Sequence, residues 1–227
     1  MEKKHTDVQL EKELAEIRNR LLLMAGRVEE MIRNAVRAVV ERDPELARQT
    51  IKTDRLVNRD EIEIDEKCLV VLARWQPMAT DLRFLTLALK MVTDLERIGD
   101  LAVNVCERAI SLGREPPLKP FIDIPRMAEI VQSMLHDAVQ AFVDGDDGRA
   151  EQVIARDDEV DELYHSVFRE LLGIMRQDES KVERGVQVQA VAKLLERMAD
   201  HCTNLAEQVI FLTRGEDVRH AGKLGRQ

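Results

Sequence analysis

Apolar residues recur along this chain at steps of three and four, over stretches much longer than an average helix. Leu14, Ile17, Leu21, Met24, Val28, Met31 and Ala35 form one stripe, and Leu46, Val57, Ile64 and Val71 form another. A 3.6-residue period sustained in this way predicts amphipathic helices with one buried face. Proline punctuates the pattern without interrupting it. The six prolines stand at positions 44, 77, 116, 117, 120 and 125, each where a helix can begin or end. The pattern therefore predicts an all-α chain of six long helices, over 6–41, 44–73, 78–112, 122–143, 147–176 and 180–213.

The two halves repeat one another. AVRAVVERDPELARQTIKTDRLVNRDEI at 35–62 and AVQAFVDGDDGRAEQVIARDDEVDELYH at 138–165 match at Ala35/Ala138, Ala38/Ala141, Val40/Val143, Ala47/Ala150, Ile51/Ile154, Asp54/Asp157 and Val57/Val160. The offset between them is constant at 103. DLERIGDLAVNVCE, near the end of the first half, matches LLERMADHCTNLAE in the second at an offset of 100. Three helices per repeat and a Pro-rich junction predict two tandem three-helix bundles, at 1–115 and 122–227, with a linker at 116–121.

Composition narrows the chemistry. Among 227 residues, aromatics make up 3% and the net charge is -9, so a general electrostatic grip on nucleic acid is excluded in the absence of a segregated basic patch. Cys68, Cys106 and Cys202 are odd in number, widely spaced and without a CxxC pair, which predicts reduced thiols rather than a disulfide framework. The first seventeen residues carry no apolar run, and apolar stretches elsewhere are broken by charges. The expectation is a soluble, cytoplasmic protein.

Part of the acidity is organised. Glu96, Asp100, Asn104 and Glu107 follow one another at steps of four, four and three, and Glu196, Asp200, Asn204 and Glu207 do the same in the second half. Such steps place each set on one helix face. Acidic pairs four apart weaken an isolated helix by about 0.2–0.5 kcal/mol, so the same pair placed twice calls for an offsetting cation. The second helix of each repeat adds oxygen donors four apart, Asp54 and Asn58 in one and Asp157 and Asp161 in the other. If helices two and three pack antiparallel, each repeat gathers an all-oxygen set suited to hard cations such as Fe3+, Mn2+, Mg2+ or Ca2+. The plainer alternative is a solvated face neutralised by Arg97 and Arg197. Duplication, and the apolar Leu89, Val92 and Val103 beside the first stripe, favour the metal site.

Other features read as structural. Glu162 and His165 form one ExxH, but its counterpart is Arg59 and Ile62, so the paired motif of di-iron bundles is missing. His201 has Leu101 as its counterpart and is not a shared ligand. Trp75 reads as a cap on the bundle end, and the nine methionines as adaptable core. No P-loop, Rossmann glycine run or nucleophile–base pattern is present, so the expectation is a protein that is not an enzyme.

LERIGDLAVN at 95–104 and LERMADHCTN at 195–204, together with ARWQPMATDLR at 73–83 and the degraded FDxEL-like segment at 7–14, resemble the PhoU family of bacterial phosphate-uptake regulators. The resemblance spans nearly the whole chain. It implies two three-helix bundles side by side, a homodimer, and E(D)xxxD motifs that hold a multinuclear metal cluster. Iron is the first expectation there, with manganese, magnesium, zinc or calcium as alternatives. Carried over, the ligands are Glu96, Asp100, Glu196 and Asp200, with Asp54 and Asp157 contributing from the second helices, and Asn58, Asp161, Asn104 and Asn204 as additional donors. The implied role is negative regulation of the phosphate-starvation response, as an adaptor between the ATPase of the phosphate-specific ABC transporter and a sensor histidine kinase at the inner face of the membrane. A metal-dependent enzyme acting on phosphate compounds and an accessory protein of a different transporter are the alternatives. In the second motif, Ile98-Gly99 becomes Met198-Ala199 and Leu101-Ala102-Val103 becomes His201-Cys202-Thr203, while both acids of the motif are kept.

Overall fold

The computed structural model describes residues 2–113, 116–118 and 122–215, with side chains from residue 8 onward. Part of the expected linker, including Pro120, and the outer ends of both expected repeats lie outside the described residues. Six helices account for nearly all the rest: α1 (Glu2–Glu41), α2 (Pro44–Trp75), α3 (Ala79–Leu112), α4 (Asp123–Asp144), α5 (Asp147–Gln177) and α6 (Val182–Arg214). The expected boundaries agree to within a few residues. The last differs for a local reason: Asp178 accepts a hydrogen bond from the Ser180 amide at 3.0 Å and caps a single 3-10 turn, Glu179–Lys181, so α6 begins after it.

Short polar residues start the second helix of each repeat. Asp43 Oδ1 accepts from the amides of Glu45 and Leu46 at 2.9 and 3.0 Å, and Asp146 Oδ1 accepts from that of Arg149 at 3.0 Å. These bonds satisfy amides that have no partner inside the helix. The residue before each cap is left-handed. It is Gly145 (φ 68°) in the second repeat but Arg42 (φ 58°) in the first, where a side chain makes that conformation costly. The Arg42 guanidinium donates to the carbonyls of Leu112 and Gly113 at 3.2 and 3.1 Å, tying the α1–α2 turn to the end of α3.

Within each repeat the three helices pack on one another, and the repeats meet along two seams, α3 against α6 and α1 against α4. Helices α2 and α5 lie on opposite flanks. Asp94 of α3 bonds His201 and Gln208 of α6, whereas Arg108 bonds Gln187, so position rises along one helix as it falls along the other and the pair is antiparallel. His201, whose counterpart in the first repeat is Leu101, is thus turned toward the seam, its Nδ1 2.9 Å from Asp94.

The core runs through both bundles without a break. Leu21, Met24, Val28 and Ile32 of α1, Leu85, Met91 and Leu95 of α3, and Met134, Leu135, Leu195 and Met198 of the second repeat are fully buried. Phe84 of α3 stacks on Phe142 of α4, their centroids 5.1 Å apart and their planes 16° from parallel, which joins the two repeats. The three cysteines are buried and unpaired, and burial pushes the thiols of Cys68 and Cys106 up to about 12. Trp75 ends α2 and packs against the core, as expected of an end cap.

Because Phe142 is shared by the two bundles, Phe142→Ala is expected to destabilise the protein by about 3–5 kcal/mol while unfolding stays a single transition. Urea denaturation followed by circular dichroism measures both. A loss below about 1 kcal/mol, or a split into two steps in the wild type, would contradict a shared core.

Candidate functional site

A three-residue reversal after Trp75, Gln76 to Met78, folds α3 back along α2, bringing the acidic face of each against the other. Gly99 of α3 lies against α2 there: a Cβ built on it would make ordinary contacts, 3.4 Å from Val57 Cγ1 and 4.0 Å from Asp54 Oδ1. In this seam Asp54, Asn58 and Glu61 of α2 lie against Glu96 and Asp100 of α3, and Asp65 follows Glu61 one turn further along α2. The four α2 residues follow one another at steps of four, three and four, one helical face.

This first cluster is under electrostatic strain. Burial, then the charge of Asp100, pushes the Asp54 carboxyl above its usual range, although Asn58 Nδ2 donates to its Oδ2 at 3.0 Å. Burial raises Glu61 first, followed by Asp65 and Asp100, with Arg97 opposing. Asp65 is raised by burial alone. Glu96 is raised by burial, then by Asp100, again with Arg97 opposing. Three oxygens here are wholly buried and lack any hydrogen-bond partner, Asp54 Oδ1, Asn58 Oδ1 and Asp65 Oδ1. Buried acceptors in folded proteins are nearly always paired, so the orphans on the bonded pair Asp54 and Asn58, with a third on Asp65 further along the same face, mark places that a donor or a cation would complete.

The second cluster joins Asp157 and Asp161 of α5 to Glu196 and Asp200 of α6. Burial, then Asp200, Asp161, Asp158 and Glu196, pushes Asp157 up to about 6. Asp200 is raised by burial and then by Glu196, while Lys193 opposes. Glu196 Oε2 is buried without a partner.

The expected residues divide by position. Asp54, Asn58, Glu96 and Asp100 come together, as do Asp157, Asp161, Glu196 and Asp200. Asn104 and Asn204 are exposed one turn further along, and the hydrogen bonds found in either cluster do not involve them. Glu61 and Asp65 are absent from the sequence expectation, yet their steps from Asn58 continue the same face. The solvated alternative is visible in part: Arg97, 59% exposed, lies 3.5 Å from Glu96 and 3.4 Å from Asp100 at the rim. Among the described residues, no three His, Cys, Asp or Glu side chains converge tightly enough to coordinate one ion in the rotamers observed. A cavity of about 520 Å3 lies in a groove between α4 and α5 lined by Arg126, Glu162, His165 and Arg169, and no cluster residue lines it.

The PhoU domain profile matches residues 21–109 and again 124–209, one copy in each repeat. The phosphate-specific transport system accessory protein PhoU homolog of Aquifex aeolicus is 43% identical over 213 residues, which cover 94% of this chain and 96% of that one. The accessory protein PhoU of Escherichia coli K12 is 32% identical over 219 residues, with coverage of 96% and 91%. Crystal structures of PhoU from Pseudomonas aeruginosa and of the phosphate transport system regulatory protein PhoU from Streptococcus pneumoniae superpose with TM-scores of 0.87 and 0.84. Their identities are 39% and 27%, and they match 91% and 92% of this chain and 99% and 98% of their own.

The raised carboxylates fix a pH dependence. Ionised Asp157 is less favourable in the folded protein than in the unfolded chain, so its cost is full above about pH 6 and gone below the ordinary value of 3.8. Metal-free protein is expected to gain stability as pH falls from 7.5 to 5.5. Asp157→Asn is expected to raise Tm at pH 7.5 by about 2–4 °C, roughly 1 kcal/mol once solvent screening of this half-buried group is allowed for, and to flatten that slope. Thermal melts in chelator at the two pH values measure this, and a fall in Tm at pH 7.5 would contradict it.

Proposed function

Because the chain belongs to the PhoU family, we propose that it is a negative regulator of the phosphate-starvation response and a modulator of phosphate uptake. It acts as an adaptor, linking the ATPase of the phosphate-specific ABC transporter to the sensor histidine kinase, so that the kinase is held inhibited when phosphate is plentiful. What carries the reading is that relatives sharing this fold along almost their whole length bear the names accessory protein or regulatory protein of phosphate transport.

The physical character of the molecule supports an adaptor. Six long helices display extended faces, and on them stand exposed apolar residues such as Leu23, Ile62 and Leu69. No described helix is long and apolar enough to cross a membrane, so contact with membrane partners runs through protein surfaces in this reading. The protein works by contact and not by catalysis, as a cytoplasmic homodimer that does not bind nucleic acid.

The two clusters are its metal sites. Asp54, Glu96 and Asp100 in the first and Asp157, Glu196 and Asp200 in the second would hold the metal, iron foremost, with Asn58 and Asp161 beside them. The orphaned buried oxygens and the carboxyls raised by burial and mutual repulsion support this, and the all-oxygen donor set suits a hard cation. The group would supply positive charge, converting mutual repulsion across each helix pair into attraction.

Deleting the gene in its own organism and following a phosphate-starvation reporter in phosphate-rich medium tests the regulatory role. The reporter is expected to switch on, and restoring the gene to silence it. Unchanged repression in the deletion strain would overturn the adaptor reading.

A further inference from the structure

Beyond the acidic cluster, toward the α5–α6 turn, the outer seam of the second repeat departs from that of the first. Where α2 carries Glu61 and Asp65, α5 carries Tyr164 and Phe168. Where α3 carries Thr86 and Thr93, α6 carries Val186 and Lys193. Carboxylates and a hydroxyl give way to aromatic and apolar side chains on both helices.

The register of α5 on α6 lines these residues up. Gln189 Nε2 donates to the Tyr164 hydroxyl at 2.9 Å, and Lys193 Nζ lies 5.3 Å from the centre of the Tyr164 ring. Carried on at steps of four, this antiparallel register sets Phe168 beside Val186 and Leu172 beside Val182. Phe168, Val182 and Val186 are 41%, 42% and 52% exposed, and none belongs to the core. Apolar residues that stand singly on a surface need no explanation, but here they form one stripe across two helices. The exposed charges around it are mainly acidic, with Asp161 at one end and Glu179 and Glu183 at the other, against Arg176. Other nearby cations are engaged elsewhere. Lys193 pairs with Glu196, Lys181 lies 3.4 Å from Asp178, Arg184 donates to the Pro116 carbonyl at 2.9 Å, and His165 and Arg169 line the groove toward α4.

Resting on the adaptor reading above, we propose that the stripe of Tyr164, Phe168, Leu172, Val182 and Val186 is a docking site for a basic amphipathic helix of a partner protein. The partner's apolar face lies along the α5–α6 seam, and Lys or Arg residues flanking that face meet Asp161 at one end and Glu179 and Glu183 at the other. A helix suits the place because the stripe is itself a shallow groove between two helices, into which residues spaced three and four apart can pack. A basic one suits it because the flanking charges are acidic and the whole chain carries a net charge of -9, which also steers a cationic partner toward it. The first repeat keeps Glu61, Asp65 and Thr86 at the matching places, so each chain offers one such site.

The test uses a fluorescein-labelled synthetic helix of about 18 residues, Leu along one face and Lys beside it, titrated with the full-length protein and followed by anisotropy. Phe168→Asp and Val186→Asp, both at exposed positions, are each expected to weaken binding about tenfold or more, whereas Leu69→Asp in the first repeat is expected to match wild type. Glu179→Lys with Glu183→Lys is expected to weaken the Lys peptide and to strengthen a version with Glu in place of Lys. Circular dichroism confirms that each variant is folded. In the cell, Phe168→Asp is expected to switch on the phosphate-starvation reporter as the gene deletion does. Equal weakening by Leu69→Asp, or no weakening by Phe168→Asp, would overturn the proposal. So would a change of oligomeric state in Phe168→Asp by size-exclusion chromatography, which would assign the stripe to a second copy of this chain, or wild-type binding to phosphatidylglycerol vesicles that Phe168→Asp abolishes, which would assign it to a lipid surface. Repression kept by Phe168→Asp but lost on deletion would overturn the proposal and leave the adaptor reading standing, whereas repression unchanged on deletion would overturn both.

Discussion

Carboxylates one helical turn apart repel each other even in water, and this chain presses such pairs from neighbouring helices into a shared, partly dehydrated seam. Glu96 and Asp100 of α3 face Asp54 and Glu61 of α2, with Asp65 one turn further along α2, and burial is the first cause of every raised carboxyl among them. The fold can afford this because its core lies elsewhere, in a continuous apolar layer from α1 and α3 into α4 and α6. Helices α2 and α5 are held on the flanks by that layer. Their inward acids are brought to the seams whether or not the charges favour it, so a cation at the seam would relieve strain that packing imposes.

The same packing explains why two seams made by one repeated plan need not behave alike. Conserving the three-helix unit requires only that Val57 and Val160, Leu95 and Leu195 and their neighbours fill the same core places. Residues at the outer edge of the seam are free of that demand. Glu61 and Tyr164, or Thr93 and Lys193, occupy matching places on different terms, one pair adding negative charge and the other cancelling it. The inter-repeat seam diverges similarly: Asp94, His201 and Gln208 form a polar group at one point, whereas their repeat counterparts are Leu194, Leu101 and Arg108.

Much of this was legible in the sequence because helices are local. The spacing of Leu14 through Ala35, the prolines at 44 and 77, and the match between 35–62 and 138–165 give helix number, boundaries and repeat without tertiary information. The duplicated ExxxD stripe marks the helix faces that the structure brings together with Asp54 and Asp157. Glu61 and Asp65 were hidden by the comparison that revealed the rest, since an acid replaced by Tyr164 or Phe168 in the second copy does not register as part of a repeated motif. The antiparallel docking of α3 on α6 depends on contacts between residues about a hundred positions apart, such as Asp94 with His201, and no periodicity within one helix encodes it. Nor does Arg42 advertise its left-handed backbone, because what sustains it is a pair of carbonyls at the far end of α3.

Whether strain at the seams is met by metal is decided by the metal content of the protein itself. Elemental analysis of gently purified wild-type protein, beside a variant in which Glu96, Asp100, Glu196 and Asp200 are all alanine, is expected to find bound iron or another transition metal in the first and none in the second. Helical content is expected to be unchanged between them. Metal-free wild type that takes up neither iron nor manganese on addition would contradict it, and would leave the two acidic faces as surfaces neutralised by Arg97 and Lys193.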